Sequence, residues 1–243
     1  MSLTPAKIIG LIGDVHSEDD RLALAIEFLQ QFDLCDILCT GDIADGPGCP
    51  DTSIDLLAQA GVKTVRGNHD RWLLEDKARH VPNAHTKCSI SKRSIEYLEN
   101  LPTQIELQTI AGNLLLCHGI GDNDLKKVWP GTERMAIERS EELDQIIASG
   151  DYRIVINGHM HFKTVINFSS LTLLNAGTIT GNRWPTFSLI DFEAWQIETF
   201  EFHETTIIKS ATTSLSTTTN EVLWKNTQNF TGGWRPVLLT GKS

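Results

Sequence analysis

The sequence predicts an α/β fold in which strands alternate with helices and neighbouring strands pair in parallel. Short apolar runs typical of strands buried on both faces alternate with segments that carry apolar residues at helical spacing. This alternation is the pattern of βαβ units. The chain has 243 residues, of which 40% are hydrophobic, and this is enough for one domain with a substantial core.

The first half of the chain shows the alternation most clearly. Its predicted strands are Lys7–Ile12, Asp36–Thr40 and Val62–Arg66, and its predicted helices are Glu18–Phe32 and Thr52–Ala60. Ser17 is placed to cap the N-terminus of the first helix, and Gly61 is placed to cap the C-terminus of the second. The order of these elements predicts βαβ units with parallel pairing.

The second half is richer in strands. Arg71–Leu101 is less regular and is predicted to hold one helix, Ser94–Leu101, which Pro102 stops. A long amphipathic helix is predicted over Thr132–Ser149. The predicted strands are Gln104–Gln108, Asn113–Cys117, Arg153–Asn157, Thr164–Phe168, Leu171–Asn175 and Thr186–Phe192.

The C-terminal part of the chain has a weaker pattern. Thr205–Asn220 is rich in Ser and Thr and is interpreted as either a linker or an edge strand. Trp224 and Trp234 predict that the tail packs on the body of the protein. We therefore expect a main domain over residues 1–200 and a C-terminal extension over residues 201–243 that packs on this core.

Composition and charge argue against several partners. The chain has 21 Lys and Arg against 31 Asp and Glu, a net charge of −10, and no basic run. A nucleic-acid or anionic-membrane surface is therefore disfavoured. No apolar run reaches the length of a membrane span, and the N-terminal residues lack the features of a signal peptide. The five cysteines show no C-x-x-C spacing, which favours reduced thiols in a cytoplasmic protein.

Five polar motifs each follow an apolar run. They are Gly13-Asp14-Val15-His16, Gly41-Asp42-Ile43-Ala44-Asp45, Gly67-Asn68-His69-Asp70, Cys117-His118-Gly119 and Gly158-His159-Met160-His161. Because open α/β sheets bind ligands beyond the carboxyl ends of their strands, these side chains are expected to converge at one edge. Imidazole and carboxylate ligands together favour Zn, Mn, Fe or another first-row metal. Two such ions about 3.5–4 Å apart need a bridging carboxylate and hold a bridging hydroxide at neutral pH.

In this order the motifs resemble those of the calcineurin-like metallophosphoesterases, and the resemblance covers Ile8 to Gly177. The segment Asn175-Ala176-Gly177-Thr178 is also similar to the N-x-G-S segment of small bacterial members. The resemblance implies a four-layer α/β/β/α sandwich of two mixed sheets flanked by helices. It further implies an enzyme that uses two divalent metal ions, Mn, Fe, Zn or similar, to hydrolyse a phosphate ester.

The resemblance also implies a role for each motif residue. Seven residues would bind metal: Asp14, His16 and His161 the first ion, Asn68, His118 and His159 the second, and Asp42 both. A hydroxide that bridges the metals would attack the phosphorus. His69 would not bind metal but would protonate the leaving oxygen. Asp45 would orient His69, with Asp70 as the rival orienting group.

The expected substrate is a small phosphorylated molecule, with a phosphomonoester favoured. Gly46 follows Asp45 at the position where protein Ser/Thr phosphatases of the superfamily carry a phosphate-binding Arg. Some bacterial phosphodiesterases of the superfamily have Cys where His69 stands, and a histidine there favours poorer leaving groups. A phosphodiesterase, a nucleotide pyrophosphate hydrolase and a non-catalytic protein-binding scaffold on the same fold stay open as alternatives. The oligomeric state is open as well.

Substrate specificity in such folds lies on loops. The loops expected here are Gly46–Asp51, Leu73–Ser91 and Asp122–Gly131. Trp129 is a candidate for stacking on a base, although a packing role is favoured. Arg183 and Trp184 are candidates for the wall of a pocket, again with a structural role favoured.

Overall fold

The computed structural model describes residues 4–181, 184–216, 223–234 and 236–240. It confirms the α/β class and the four-layer arrangement, because two mixed six-stranded sheets pack face to face and helices cover their outer faces. Arg183 lies outside the described residues, as do positions 217–220 of the segment interpreted as a linker or an edge strand.

The described residues form five α-helices and twelve strands. The helices are α1 Asp19–Leu29, α2 Pro50–Gln59, α3 Asn68–Glu75, α4 Lys92–Asn100 and α5 Glu141–Ser149. The strands are β1 Ile8–Ile12, β2 Asp36–Cys39, β3 Lys63–Thr64, β4 Gln104–Thr109, β5 Gly112–Cys117, β6 Ile154–Asn157, β7 Lys163–Asn167, β8 Thr172–Ala176, β9 Thr186–Asp191, β10 Gln196–His203, β11 Thr206–Ser214 and β12 Val237–Leu239.

The first sheet has the strand order β11-β10-β9-β1-β2-β3. Strands β1, β2 and β3 pair in parallel, with Gly10 opposite Ile37 and Leu38 opposite Lys63. Because α1 and α2 connect these strands, the predicted βαβ units are present. Strands β9, β10 and β11 continue the sheet in antiparallel pairing, which makes it mixed.

The second sheet has the strand order β12-β7-β8-β6-β5-β4. Its central strands β5, β6 and β8 are parallel, and β4, β7 and β12 are antiparallel to their neighbours. The two sheets meet where their parallel strands end. There the Asp14 N–H, after β1 of the first sheet, donates to the Gly177 carbonyl, after β8 of the second sheet, at 3.2 Å.

Three apolar layers hold the four structural layers together. One lies between α1, α2, α4 and the first sheet, one between the sheets, and one between the second sheet and α5. Along β5, Leu114 and Leu116 join the layer between the sheets, while Leu115 packs in the outer layer with Leu143 of α5. Successive side chains of a strand point to opposite faces of the sheet. Because both faces here are covered by apolar layers, such strands appear in the sequence as continuous apolar runs.

The predicted helix Thr132–Ser149 is wrong over its first half. Helix α5 begins at Glu141, where the Ser140 hydroxyl accepts the Leu143 N–H. Before it, the Thr132 hydroxyl accepts backbone N–H groups two and three residues further on, at 3.1 and 3.0 Å. Such local side-chain bonds compete with helix formation, so the segment forms a loop despite its helical spacing.

Other departures from the sequence expectations are local. Helix α3 and strands β10 and β12 were not predicted, and the described part of Thr205–Asn220 contains the edge strand β11. Ser17 does not cap α1: Glu18 holds the N-cap position, and the Ser17 hydroxyl donates to the Ile43 carbonyl at 3.1 Å. Gly61 follows α2 with a positive φ of 64°, as a C-capping glycine does.

The described part of the tail contacts the second sheet. Strand β12 pairs with β7, with Val237 opposite Ile166. Trp224 packs against Phe230, which in turn stacks on Phe168. The division of the chain at residue 200 stays a prediction.

Two observations bear on the predicted surroundings of the protein. All five cysteines are free thiols, and burial raises the pKa of both Cys39 and Cys117 to about 12, which makes these two thiols poor nucleophiles. Within the described ranges, no helix has both the length and the apolar character needed to cross a membrane. The cellular compartment stays a prediction.

Lys163 on β7 is a buried lysine whose titration makes stability depend on pH. Its Nζ donates to the Ser188 hydroxyl at 2.6 Å and to the Phe187 carbonyl at 3.4 Å, and burial lowers its pKa to about 7 although Glu201 opposes the shift. In the unfolded chain a lysine has a pKa of about 10.4, so between about pH 7 and 10 the unfolded chain binds more protons than the folded one. The free energy of unfolding should therefore rise with pH across this window.

We expect Lys163→Met to remove this part of the pH dependence. Urea denaturation at pH 7, 8 and 9 should show a slope reduced by about 1 kcal/mol per pH unit relative to the unsubstituted protein. Lys77→Met, which changes a side chain that is 66% exposed, is the matched control and should keep the slope. Equal slopes in all three proteins would show that Lys163 stays protonated when folded.

Candidate metal centre

The candidate residues converge where strands of both sheets end. Asp14 follows β1, Asp42 follows β2, and Asn68 begins α3 just after β3. From the second sheet, His118 follows β5, and His159 and His161 lie between β6 and β7. The motif residues therefore lie together at one edge of the fold, as the order of the motifs predicts.

The first group of ligand atoms comprises Asp14, His16, Asp42 and His161, whose ligand atoms all lie within 4.8 Å of one another. The Nε2 atoms of His16 and His161 are 3.0 Å apart. The Nε2 of His161 is 3.4 Å from Asp14 Oδ2, and the Nε2 of His16 is 3.7 Å from Asp42 Oδ2. Two carboxylates and two imidazoles thus converge on one small volume.

The second group comprises Asp42, His118 and His159, within the same 4.8 Å limit. The Nε2 of His118 lies 3.3 Å from Asp42 Oδ2 and 3.0 Å from the side-chain oxygen of Asn68. Asn68 therefore joins this group through His118. Asp42 belongs to both groups, and this is the placement that a bridging ligand requires.

The backbone at the centre adopts uncommon conformations. Five of the nine candidate residues have a positive φ: His16, Asp42, Asp45, His159 and His161. Such conformations in residues other than glycine cluster at functional sites because the surrounding structure must impose them. Two glycines allow the close packing, since a Cβ on Gly67 would lie 2.2 Å from Asp42 Oδ1 and a Cβ on Gly158 would lie 2.1 Å from Asp14 Oδ1.

Hydrogen bonds to the far side of each ring orient the imidazoles. His16 Nδ1 lies 2.9 Å from the Asp45 carbonyl, and His118 Nδ1 lies 2.7 Å from the Thr40 carbonyl. A carbonyl can only accept, so each Nδ1 carries a proton and each Nε2 is the ring nitrogen directed at the centre. The Thr40 hydroxyl also donates to Asp14 Oδ1 at 2.7 Å and holds that carboxylate in place.

The electrostatics fit a divalent cation. Asp14 and Asp42 are almost completely buried. Burial opposes ionisation of Asp42, yet the surrounding histidines hold its pKa below the usual range. Burial and the charge of His118 lower the pKa of His159 to about 4, so this ring is a neutral ligand. For His118, Asp42 and Asp14 overcome the effect of burial and raise the pKa to about 10, which shows how strongly these carboxylates favour positive charge.

His69 lies beside these groups but is held by a different carboxylate. Its Nδ1 is 2.8 Å from Asp45 Oδ2, and its backbone N–H donates to Asp42 Oδ1 at 2.8 Å. The ring is 4.8 Å from that of His16, and 20% of the side chain is exposed. Burial opposes protonation, but the bond to Asp45 raises the pKa of His69 above its ordinary value.

The two rival carboxylates have different surroundings. Asp45 contacts the His69 ring, whereas Asp70 accepts the backbone N–H groups of Ile43, Ala44 and Gly67 at 2.8 to 2.9 Å. Asp70 therefore joins the second motif to the third and does not reach the imidazole of His69 through these bonds. The geometry favours Asp45 as the orienting group.

Two residues of this arrangement were missed by the sequence reasoning. Arg79 donates from Nη1 to Asp45 Oδ1 and from Nη2 to Asp45 Oδ2, both at 2.8 Å. The His85 N–H donates to Asp45 Oδ1 at 2.9 Å, and the Asp45 N–H donates to His85 Nδ1 at 3.1 Å. Both residues lie in the irregular segment between α3 and α4, where no motif marks them. The only signal was that Leu73–Ser91 was expected to be a functional loop.

Arg79 should act as a positioning residue for His69. We expect Arg79→Gln to lower kcat by about 10- to 100-fold, the usual effect of removing an outer partner of a site, while the protein keeps its metal. Arg71→Gln is the matched control, because Arg71 pairs with Asp124 and Glu75 instead. The measurement is the pair of kcat and metal content; full activity of Arg79→Gln would remove Arg79 from this role.

Comparison with known proteins gives consistent matches. A family model described as the calcineurin-like phosphoesterase superfamily domain matches residues 8–194. An uncharacterized protein of Methanocaldococcus jannaschii is 24% identical over 179 residues, which are 71% of this chain and 70% of that protein. The crystal structure of a metallophosphoesterase from Sphaerobacter thermophilus superposes with a TM-score of 0.60 at 20% identity, covering 82% of this chain and 89% of that one.

A structure from a different functional context also matches. Vacuolar Protein Sorting 29 from Cryptosporidium parvum superposes with a TM-score of 0.52 at 19% identity, covering 87% of this chain and 100% of that one. At these identities the solved structures show likeness of fold. The chemistry of the site must be argued from its own residues.

Proposed function

The chain belongs to the calcineurin-like phosphoesterase superfamily, and on this premise we propose that it hydrolyses a phosphate ester at the Asp and His groups described above. The seven candidate ligands would hold two divalent metal ions, with Asp42 shared between them. When bound, such ions polarise phosphoryl oxygens and acidify a water molecule.

The observation that carries the proposal is the pairing of His69 with Asp45 beside the ligand groups. The bond of 2.8 Å between Nδ1 and Oδ2 fixes the proton on Nδ1 when the ring is neutral, and it stabilises the ring when it is charged. Among the described residues, no hydrogen bond reaches the Nε2 of His69, so this atom is available to a substrate. His69 can thus hold a proton at Nε2 and deliver it to a leaving oxygen.

Neighbouring side chains also orient the imidazole of His69. Arg79 neutralises Asp45 and fixes both of its oxygens, so the carboxylate cannot turn away from His69. Trp72 packs 4.9 Å from the His69 ring and limits its rotation. Together these contacts orient the imidazole before substrate arrives, and such orientation lowers the barrier to proton transfer.

We propose a phosphomonoester as the preferred substrate. The leaving group of a natural monoester is a poor one, and its departure depends on protonation, which is the step His69 would supply. A phosphodiester and a nucleotide pyrophosphate linkage are the alternatives within the same chemistry. Several metals suit the mixed imidazole and carboxylate set, with Mn, Fe and Zn as the proposed choices.

The test is hydrolysis by protein that is stripped of metal and reconstituted with Mn, with p-nitrophenyl phosphate and bis-p-nitrophenyl phosphate compared side by side. We expect turnover of both to depend on added metal and the monoester to be preferred. A preference for the diester would overturn the monoester assignment and leave the metal-dependent phosphoesterase. If the protein binds two ions and hydrolyses neither compound nor a panel of natural phosphate esters, the scaffold alternative replaces the enzyme.

A further inference from the structure

A cavity of about 240 Å³ opens beside the candidate metal centre. His161 borders both, since its Nε2 belongs to the first ligand group and its side chain lines the cavity. Phe162 and Lys163, the next two residues, continue the cavity wall into β7. A molecule with its phosphate at the ligand groups would therefore extend directly into this space.

The cavity gathers exposed apolar side chains. Ten large hydrophobic residues are exposed among the described residues, and five of them line this one cavity: Met135, Phe162, Trp184, Trp234 and Leu239. Scattered exposed apolar residues are ordinary, but a concentration of them marks a binding site. Trp129 forms part of the wall as well, with its ring 5.3 Å from that of Trp234 in an edge-to-face contact.

Two well-anchored segments build the wall. Paired backbone bonds between Trp129 and Glu138, at 3.0 and 2.8 Å, close the loop that replaces the first half of the predicted long helix. On the tail, β12 pairs with β7, and the Thr240 N–H donates to the Lys163 carbonyl at 3.2 Å. The lining residues of the tail, Trp234, Leu239 and Thr240, lie outside the family match at residues 8–194, whereas the other lining residues lie within it.

The cavity wall contains polar atoms that lack partners. Trp129 Nε1 and Thr240 Oγ1 are buried, and neither finds a hydrogen-bond partner within the described residues. Both atoms lie beneath the surface of the wall, so the surface that faces the cavity is predominantly apolar. The basic side chains in the lining are Arg134, His161 and Lys163, and no carboxylate lines the described wall.

We propose that this cavity binds the aromatic part of the substrate, a planar ring system, while the attached phosphate lies at the Asp and His groups. Flat aromatic walls favour a flat aromatic occupant, because ring faces and edges pack with specific geometry. A nucleobase and an aryl group both have this chemistry. The inference rests on the proposed function for the placement of the phosphate, but not for the binding of the ring.

The first test compares substrates that differ only in the ring. Adenosine 5′-monophosphate and ribose 5-phosphate share the same primary alcohol as leaving group, and 2-naphthyl phosphate differs from phenyl phosphate by one fused ring. With the Mn-loaded protein, we expect kcat/KM to be at least tenfold higher for the larger member of at least one pair. Trp234→Ala should reduce that ratio at least fivefold. Ile208→Ala, which removes an equally exposed apolar side chain on β11, should keep the ratio.

The second test measures binding without chemistry. Adenosine and 2-naphthol carry no phosphate, and their affinity for the Mn-loaded protein can be measured by saturation-transfer NMR and calorimetry. We expect binding that weakens at least tenfold in Trp234→Ala. Binding of adenosine alone identifies a nucleobase as the occupant, and binding of 2-naphthol alone identifies an aryl group.

The outcomes separate the two proposals. Ring binding that depends on Trp234, in a protein that hydrolyses no phosphate ester, would support the cavity assignment and remove the proposed function. If the protein hydrolyses phosphate esters, the kcat/KM ratios within both substrate pairs are near one, and neither ring compound binds, the cavity assignment would be overturned and the proposed function kept. Binding that is equal in Trp234→Ala and in the unsubstituted protein would also overturn the cavity assignment.

Discussion

Asp42→Asn should leave the protein folded and remove most of its bound metal. The carboxylate of Asp42 belongs to both ligand groups, and its Oδ2 faces both His118 and His16. An amide keeps the size of the side chain and the acceptor for the His69 N–H, which bonds to Oδ1. It loses the negative charge that two cations would share, so both sites should weaken together.

The expected effect on activity is large. If two metals act as a clamp on the reacting phosphate, loss of their shared ligand removes several kcal/mol of stabilisation, or about a 10³-fold loss of kcat/KM. Metal content by plasma mass spectrometry should fall from about two ions per chain to less than one. Both losses should appear together because they have one cause.

The control removes the same charge elsewhere. Asp55→Asn changes an exposed carboxylate that pairs with Arg93, and it should alter neither metal content nor turnover. A variant Asp42→Asn with two fully bound ions would rule out the bridging role. Circular dichroism that matches the unsubstituted protein would exclude unfolding as the cause of metal loss.

The sequence predicts the fold best where strands are buried on both faces. Strands β1, β2, β5 and β6 appear as continuous apolar runs because two apolar layers contact them, and a run of this kind is visible without any tertiary information. The same strands carry the ligand motifs at their carboxyl ends. This explains how a local pattern could predict that residues as distant as Asp14 and His161 converge.

The first half of the predicted long helix fails for a tertiary reason. Two apolar residues of this segment, Met135 and Ile137, are exposed and belong to none of the three apolar layers, and Met135 lines the cavity. Helical spacing predicts a helix only if the apolar face is buried, and the spacing itself does not show whether it is. The Thr132 hydroxyl then decides the local conformation.

The residues that hold Asp45 could not be predicted for a different reason. Arg79 and His85 contact it across 34 and 40 residues, from a loop without a periodic pattern. Which of Asp45 and Asp70 orients His69 likewise depends on the direction in which each side chain points. Asp70 directly follows His69 in sequence and Asp45 lies 24 residues before it, but the Asp70 side chain turns toward backbone N–H groups and that of Asp45 turns toward the ring.

His69→Ala should keep the metal and lose turnover in a way that depends on the leaving group. The hydrogen bond from His69 to the ligand groups comes from its backbone N–H, which alanine retains, so both sites should stay filled although the ring contact with His16 is lost. The loss of the imidazole removes general acid catalysis, which contributes about 10²- to 10⁴-fold. Phenyl phosphate, whose leaving oxygen needs a proton, should show a loss near 10³-fold.

The same substitution should have a smaller effect on the hydrolysis of p-nitrophenyl phosphate. Nitrophenolate departs without protonation, so we expect a loss of only about tenfold for this substrate, within the Brønsted behaviour of acid catalysis. His80→Ala removes an exposed histidine from the segment between α3 and α4, and it should leave the hydrolysis of both substrates unchanged. Arg79→Gln should show the same dependence on the leaving group with a smaller amplitude, because it weakens the orientation of the imidazole without removing it.

The pattern distinguishes proton delivery from a structural role. If His69 only shaped the site, His69→Ala would slow both substrates equally and would also weaken metal binding through a shift of the adjacent Asn68. Equal losses for the two leaving groups would therefore contradict the assignment of His69 as the acid, even if the loss were large. Because metal content is measured on the same samples, a fall in metal would identify the structural role directly.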